Sequence, residues 1–231
     1  MSSQAGNRLA ILSLLFLVSA TSRPFGVPND QKARRSKPHT DSEKLDPTLT
    51  VRVYDFAHLP DALASAEEVA SRIFRQAGIE VVWHACLPTV PENLDDPACV
   101  SGGESANVML RIVLERKLAI GVTHDTLGFA AGSYATVSLA RVTDLALEQG
   151  QPPFLILGRA MAHEIGHVLL GTASHSREGI MRADWGAEEL KVAAMNDMFF
   201  TRKQSDLLRA KISTATAQQQ AAAAAAVRAH Q

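Results

Sequence analysis

An excess of charge of one sign is what this chain most plainly lacks. Its 231 residues carry 23 Lys plus Arg against 24 Asp plus Glu. No bulk basic field therefore exists to attract nucleic acid, and no nucleic-acid partner is expected. Cysteine is almost absent, with two in the whole chain. Neither stands directly after the N-terminal apolar run, so a bacterial lipoprotein anchor has no residue to carry the lipid. Long hydrophobic runs are missing as well. Leu9 to Ala20 is apolar apart from serines, but about twelve residues are too few to span a bilayer. The other apolar run, Phe154 to Leu170, carries Arg159, His163, Glu164 and His167 through its middle, which excludes it as a span.

The short run has the form of an export signal. Met1 to Arg8 is polar with one positive residue, and Val18-Ser19-Ala20 supplies the small residues that signal peptidase requires. The expected destination is secreted or periplasmic, with no stable membrane association once the signal is removed. Cys86 and Cys99 agree with export. In an oxidising compartment they are expected to form a disulfide closing the proline-containing loop Leu87 to Ala98, worth about 3 kcal/mol in loop-closure entropy. The expected organisation is a signal peptide at 1–20, a flexible polar leader at 21–47, a folded domain at 48–215 and a Gln/Ala-rich low-complexity tail at 216–231. About 210 residues after the signal suffice for one domain with a full core.

Within that domain the pattern predicts strands at Leu49 to Ala57, Ile79 to His84, Asn107 to Leu114, Leu127 to Ala131 and Tyr134 to Val142. Apolar residues at helical spacing predict a helix over Asp61 to Ala77, closed by Gly78. A short helix is expected near Thr143 to Glu148. Pro152 and Pro153 open the apolar run, where proline is favoured at a helix start. Ala187 to Phe200 and Arg202 to Ala215 read as C-terminal helices. Alanine favours helix, so the tail reads as an extension or frayed end of the last one. The class is α/β (α+β), a small domain built on a mixed sheet.

The chemistry lies in His163-Glu164-Ile165-Gly166-His167. Residues four apart on a helix share a face, so both imidazoles can reach one metal ion. Glu164 emerges beside that face, where it can hold a metal-bound water without ligating the ion. Left without a metal, two buried histidines and a glutamate would each cost roughly 1–3 kcal/mol unless paired. Gly171 is well placed to end the helix in a left-handed conformation. The four steps from there to His175 span at most about 14 Å, ample to bring His175 back as a third ligand. Three neutral nitrogens with one open position is the arrangement of a catalytic zinc site. Gly179-Ile180-Met181 then offers a tight turn ending in a methionine able to lie under the metal. Glu188 or Glu189, farther on, is the rival third ligand. His39, His58, His84, His124 and His230 have no ligand spacing.

At His163, Glu164, His167, Gly171, His175 and Met181 the chain resembles the metzincin clan of zinc metallopeptidases. The His175-Ser176 pair followed by Met181 is most similar to matrixins. The clan pattern places its glycine three and its last histidine six residues past the second ligand. Here those residues fall four and eight past His167, one residue longer in each segment. The resemblance implies a metzincin-like domain with an active-site helix, a Met-turn and C-terminal helices. It also implies one catalytic Zn²⁺ held by His163, His167 and His175, with Met181 in the turn.

The function expected is a secreted zinc-dependent endopeptidase acting on protein or peptide substrates through a zinc-bound water activated by Glu164. The alternatives are a gluzincin-like peptidase using Glu188 or Glu189, and an exported, non-catalytic zinc-binding module. Neither cysteine lies in an N-terminal segment, so no cysteine switch is available to hold the enzyme latent.

Overall fold

The computed structural model describes residues 46–86, 99, 107–115, 126–185, 190 and 198–229. The expected signal peptide and most of the expected leader lie outside these residues, as do Glu188 and Glu189.

Strand β1 (Thr48–Asp55) is the organising element. Leu49, Val51 and Val53 alternate into the core, each at most 2% exposed, while Thr50, Arg52 and Tyr54 face the other way. β2 (Glu80–Ala85) and β3 (Asn107–Val113) flank β1, both parallel to it. β5 (Tyr134–Ser138) adds parallel to β3, and β4 (Gly128–Ala131) closes the sheet antiparallel to β5. The order β2-β1-β3-β5-β4 leaves β4 at an edge. It is a mixed sheet in a mixed α/β domain.

Helix α1 (Pro60–Gln76) begins where the Asp55 carboxylate accepts from the Ala57 and Leu59 N–H groups, at 2.9 and 2.7 Å. Its buried stripe is Leu63, Ala66, Val69, Ala70, Ile73 and Phe74. This stripe packs on helix α3 (Pro153–Leu170), the apolar run of the sequence. Their approach depends on Gly158, where a Cβ would lie 2.5 Å from the Ala66 carbonyl and 2.6 Å from Val69 Cβ. Also packed against α3 are β5 and β4, which sets the H-E-x-x-H residues beside the edge of the sheet.

Two expectations about the elements need correction. The strand expected to run from Tyr134 to Val142 stops at Ser138, and helix α2 (Leu139–Gln149) begins there. Leu139 and Val142 are three apart, a spacing that suits a helix as well as a strand end. Ser138 decides the matter: its hydroxyl accepts the Arg141 N–H at 3.3 Å as an N-cap and donates to the Glu115 carbonyl at 2.7 Å. The second correction is at Ala187 to Phe200. Most of that range lies outside the described residues; Leu190 is helical as expected, but Met198–Phe200 are not. They run into α4 (Arg202–Ala229), which carries the Gln/Ala run in unbroken helix. Leu208 and Ile212 anchor its first half in the core, and the remainder is largely exposed.

Cys86 and Cys99 form the expected disulfide. The Cys99 carbonyl accepts from Arg52 Nη1 at 3.4 Å and from the Tyr54 hydroxyl at 3.3 Å. These bonds hold Cys99 against the side chains that β1 turns away from Leu49, Val51 and Val53. Among the described residues no helix is long and apolar enough to cross a membrane.

Candidate metal centre

From Ile156 to His167 every residue of α3 is buried, including Arg159, His163 (9% exposed), Glu164 (4%) and His167 (8%). A helix apolar all round belongs in a core, so each polar group on it needs an answer. Arg159 donates through Nη1 to Gln151 Oε1 at 3.0 Å. The histidines face each other, and His163 Nε2 lies 3.0 Å from His167 Nε2.

Gly171 ends the helix as expected, though not in the left-handed helical region. Its φ of 96° and ψ of 161° form an extended conformation with positive φ, which is essentially restricted to glycine. Its N–H still bonds to the His167 carbonyl at 2.9 Å. The chain then returns and places His175 Nε2 3.0 Å from His167 Nε2. One ring nitrogen from each of the three histidines lies within 4.8 Å of the others. Of the two extra residues relative to the metzincin spacing, one lengthens the helix before Gly171 and the other falls in this connection, where Thr172 and Ala173 are exposed.

The outer nitrogens explain why the inner ones point where they do. His163 Nδ1 lies 2.7 Å from the Ile180 carbonyl. A carbonyl only accepts, so Nδ1 carries the hydrogen and Nε2 presents a lone pair. His167 Nδ1 faces the Gly171 carbonyl at 3.4 Å and Ser174 Oγ at 3.0 Å, which favours the same tautomer. The lone pairs of two buried rings thus point at one another and toward His175 Nε2, an arrangement that repels unless a cation takes them up. Tetrahedral zinc with bonds of about 2.0–2.1 Å sets ligand nitrogens roughly 3.3 Å apart. The observed 3.0 Å separations fit that ion.

Burial also sets the charge states. It lowers the His163 pKa to about 4, opposed by the bond to Ile180 and helped by the neighbouring histidines. Burial likewise lowers His167. Both rings are therefore neutral at physiological pH, as ligands must be. Burial pushes Glu164 up to about 8. A divalent cation held beside it would favour the carboxylate and draw that value back down.

Met181 is fully buried beneath the helix. A Cβ on Gly166 would stand 2.5 Å from Met181 Sδ and 3.0 Å from Phe200, so glycine between the two ligands makes room for the turn. The turn is fastened by the Ile180 N–H to the Phe199 carbonyl at 2.9 Å. One segment thus seats the methionine and orients the first histidine.

An open cleft of about 700 Å³ lies in front of the histidines. β4 forms one wall through Gly128, Phe129 and Ala130, and α2 contributes Arg141, Asp144 and Leu145. Glu164 sits against β4 at its first residue: a Cβ on Gly128 would lie 2.8 Å from Glu164 Cγ and 2.9 Å from Oε1. Arg141 Nη1 donates to the Thr126 carbonyl, which fastens the chain entering that strand. Trp185 packs edge-on to His163, with ring centres 5.5 Å apart.

Trp185, Gly128, Ser174 and Gln204 were not identified from sequence. Only Gln204 left a local mark, the spacing Thr201-x-x-Gln204 of a capping box. His58 and His84 lie on other parts of the domain, and His39, His124 and His230 fall outside the described residues.

The chain is similar in structure to an archaemetzincin from Methanopyrus kandleri, with a TM-score of 0.49 and 19% identity; the match covers 72% of this chain and 97% of that one. It is also similar to a zinc-dependent peptidase from Methanocorpusculum labreanum (strain Z), with a TM-score of 0.48 and 14% identity, over 69% of this chain and 99% of that one. No protein-family model matches the chain, and no curated protein matches it in sequence.

Proposed function

We propose that this chain is an exported zinc-dependent endopeptidase with His163, His167 and His175 as ligands to one ion and Glu164 as general base. The observation that carries the reading is the convergence of three imidazole nitrogens within 4.8 Å of one another, with the outer nitrogens of two rings turned to backbone carbonyls. When bound, zinc supplies a Lewis acid that polarises a peptide carbonyl and makes water a competent nucleophile near neutral pH.

The remaining work falls to the chain itself. Glu164 accepts a proton from water as its oxygen attacks the carbonyl carbon, and passes it to the amine that leaves when the C–N bond breaks. The buried setting of Glu164 limits the solvent that competes for that proton. Among the described residues β4 is an edge strand beside the histidines, and its outer side suits an extended peptide added as a further strand. The signal-like pattern of residues 1–20 and the disulfide support a location outside the reducing cytoplasm.

The test is elemental analysis of the purified protein alongside hydrolysis of an unfolded, casein-like substrate. About one zinc per chain is expected, lost in His163→Ala and His167→Ala. Glu164→Gln is expected to retain zinc and fold while hydrolysis drops by about 10²–10⁴-fold. Well-folded wild-type protein without zinc would sink the proposal. Equal, very slow turnover by wild type and Glu164→Gln would instead identify a non-catalytic zinc-binding module.

A further inference from the structure

His175 differs from the other two histidines in what supports it. His163 and His167 belong to a buried helix, whereas His175 is exposed on the connection between Gly171 and Ser176. A side chain in that position needs its backbone held, or the convergence of the three rings is lost to loop motion. Both ends of the connection are tied by backbone bonds, Gly171 N–H to the His167 carbonyl at 2.9 Å and Ser176 N–H to the Met181 carbonyl at 2.8 Å. The middle is tied by a side chain from another element. Gln204 Nε2 donates to the Ser174 carbonyl at 3.3 Å, and the Ser174 hydroxyl lies 3.0 Å from His167 Nδ1.

Gln204 is only 8% exposed, and both ends of its amide are engaged. The Thr201 N–H donates to Oε1 at 2.9 Å, and the Gln204 N–H donates to Thr201 Oγ1 at 3.4 Å. These reciprocal bonds make the capping box of α4. They also fix the orientation of the amide: an N–H can only donate, so Oε1 faces Thr201 and Nε2 faces the Ser174 carbonyl. One side chain therefore completes a helix cap and straps the loop that carries His175.

We propose that Gln204 is a positioning residue for the metal centre, holding the Ser174 backbone so that His175 stays at the apex and Ser174 orients His167. This rests on the reading of the three histidines as zinc ligands. The strap is separable from the cap. Gln204→Glu keeps an oxygen to accept from Thr201 and replaces the donor to Ser174 with an acceptor. Thr201→Ala removes the cap hydroxyl and leaves the amide bonded to both the backbone N–H and Ser174.

The experiment uses the full chain. Zinc affinity is measured by competition with a chromophoric chelator, the ligand-field absorption of bound Co²⁺ is recorded, and thermal unfolding of the metal-free protein is followed. Gln204→Glu is expected to bind zinc about 10–100-fold more weakly with an altered cobalt spectrum, the usual consequence of losing an outer support. Ser174→Ala is expected to weaken binding by roughly 10-fold with the fold intact. Thr201→Ala is expected to lower the unfolding temperature and keep wild-type affinity. Wild-type affinity and cobalt spectrum in Gln204→Glu overturn the proposal, as does equal loss of affinity in Thr201→Ala. Should Gln204→Glu fail to fold, Ser174→Ala decides: unchanged affinity there removes the strap. Wild-type protein that binds no zinc at all overturns the metal reading itself, a result distinct from any difference among variants.

Discussion

A metal ligand must be held in place as well as present a lone pair, and the three histidines meet that demand differently. His163 gives its outer hydrogen to Ile180, His167 gives its own toward Gly171, and His175 relies on a loop held from outside. His175→Ala leaves two imidazoles from one helix. Loss of an outer support alone costs 10–100-fold in affinity, so loss of a ligand is expected to cost more than about 100-fold. A chelator titration with circular dichroism as the folding check reads this directly. If His175→Ala binds zinc like wild type while Glu188→Ala or Glu189→Ala does not, a carboxylate is the third ligand. Glu164 has a different requirement, which is space. A methyl group on Gly128 would meet the backbone carbonyl of Thr136 on β5 first, and would press on Glu164 Cγ and Oε1 at 2.8 and 2.9 Å. Gly128→Ala is expected to keep zinc within about threefold, yet to lower turnover by about 10²-fold, because displacement of a reacting group by about 1 Å carries that penalty. Equal losses of zinc and turnover would mean that the strand, and not the carboxylate, had moved.

At the level of elements, what was legible in the sequence followed from how local each signal is. The H-E-x-x-H helix, its proline start and its glycine stop are set within one segment, and all three fall where the residues indicate. Leu139 and Val142 fit two periodicities, so the boundary between β5 and α2 turned on Ser138 capping a helix, which apolar spacing does not reveal. The support of His163 by the Ile180 carbonyl was out of reach for another reason, since a backbone acceptor has no side-chain identity to read. Nor does periodicity report strand order: β1 sits between β2 and β3 because of crossovers that depend on tertiary packing.

Helix α1 carries a prediction of its own. Burial raises the Glu67 pKa above its ordinary value of 4.5. A carboxyl raised in this way favours folding while protonated. That stability is fully present below the unfolded value and is lost as pH rises through the folded one. Glu67→Gln removes the titration, so the variant should gain on wild type as pH rises from 4 to 8. The gain should stay below about 1 kcal/mol, because the side chain is only partly buried and solvent screens it. Urea unfolding of both proteins at the two pH values measures it. A variant whose advantage shrinks with rising pH would show that Glu67 is held by a favourable partner rather than penalised by burial.

For the molecule as a whole, the disulfide and the metal centre act on different parts of the same fold. Cys86 and Cys99 close a loop of sequence separation 13 next to β2 and β1, while the three histidines lie beside the opposite edge at β4. Strands β3 and β5 lie between β1 and β4. Loop-closure entropy assigns a bridge of this length about 3 kcal/mol, drawn from the unfolded chain and not from the site. Removal of the bridge should therefore lower global stability and leave the ligand geometry intact. Cys86→Ala/Cys99→Ala, made together so that no unpaired thiol remains, is expected to unfold about 2–4 kcal/mol more easily in urea. It should retain wild-type zinc affinity at temperatures where it is folded. Zinc in turn should stabilise both proteins alike, by about 2.7 kcal/mol at a free concentration 100 times its Kd. A double variant that folds but has lost zinc would show that β1 transmits strain across the sheet to α3. Unchanged stability would show instead that the bonds from Arg52 and Tyr54 to the Cys99 carbonyl already hold Cys99 in place without the covalent link.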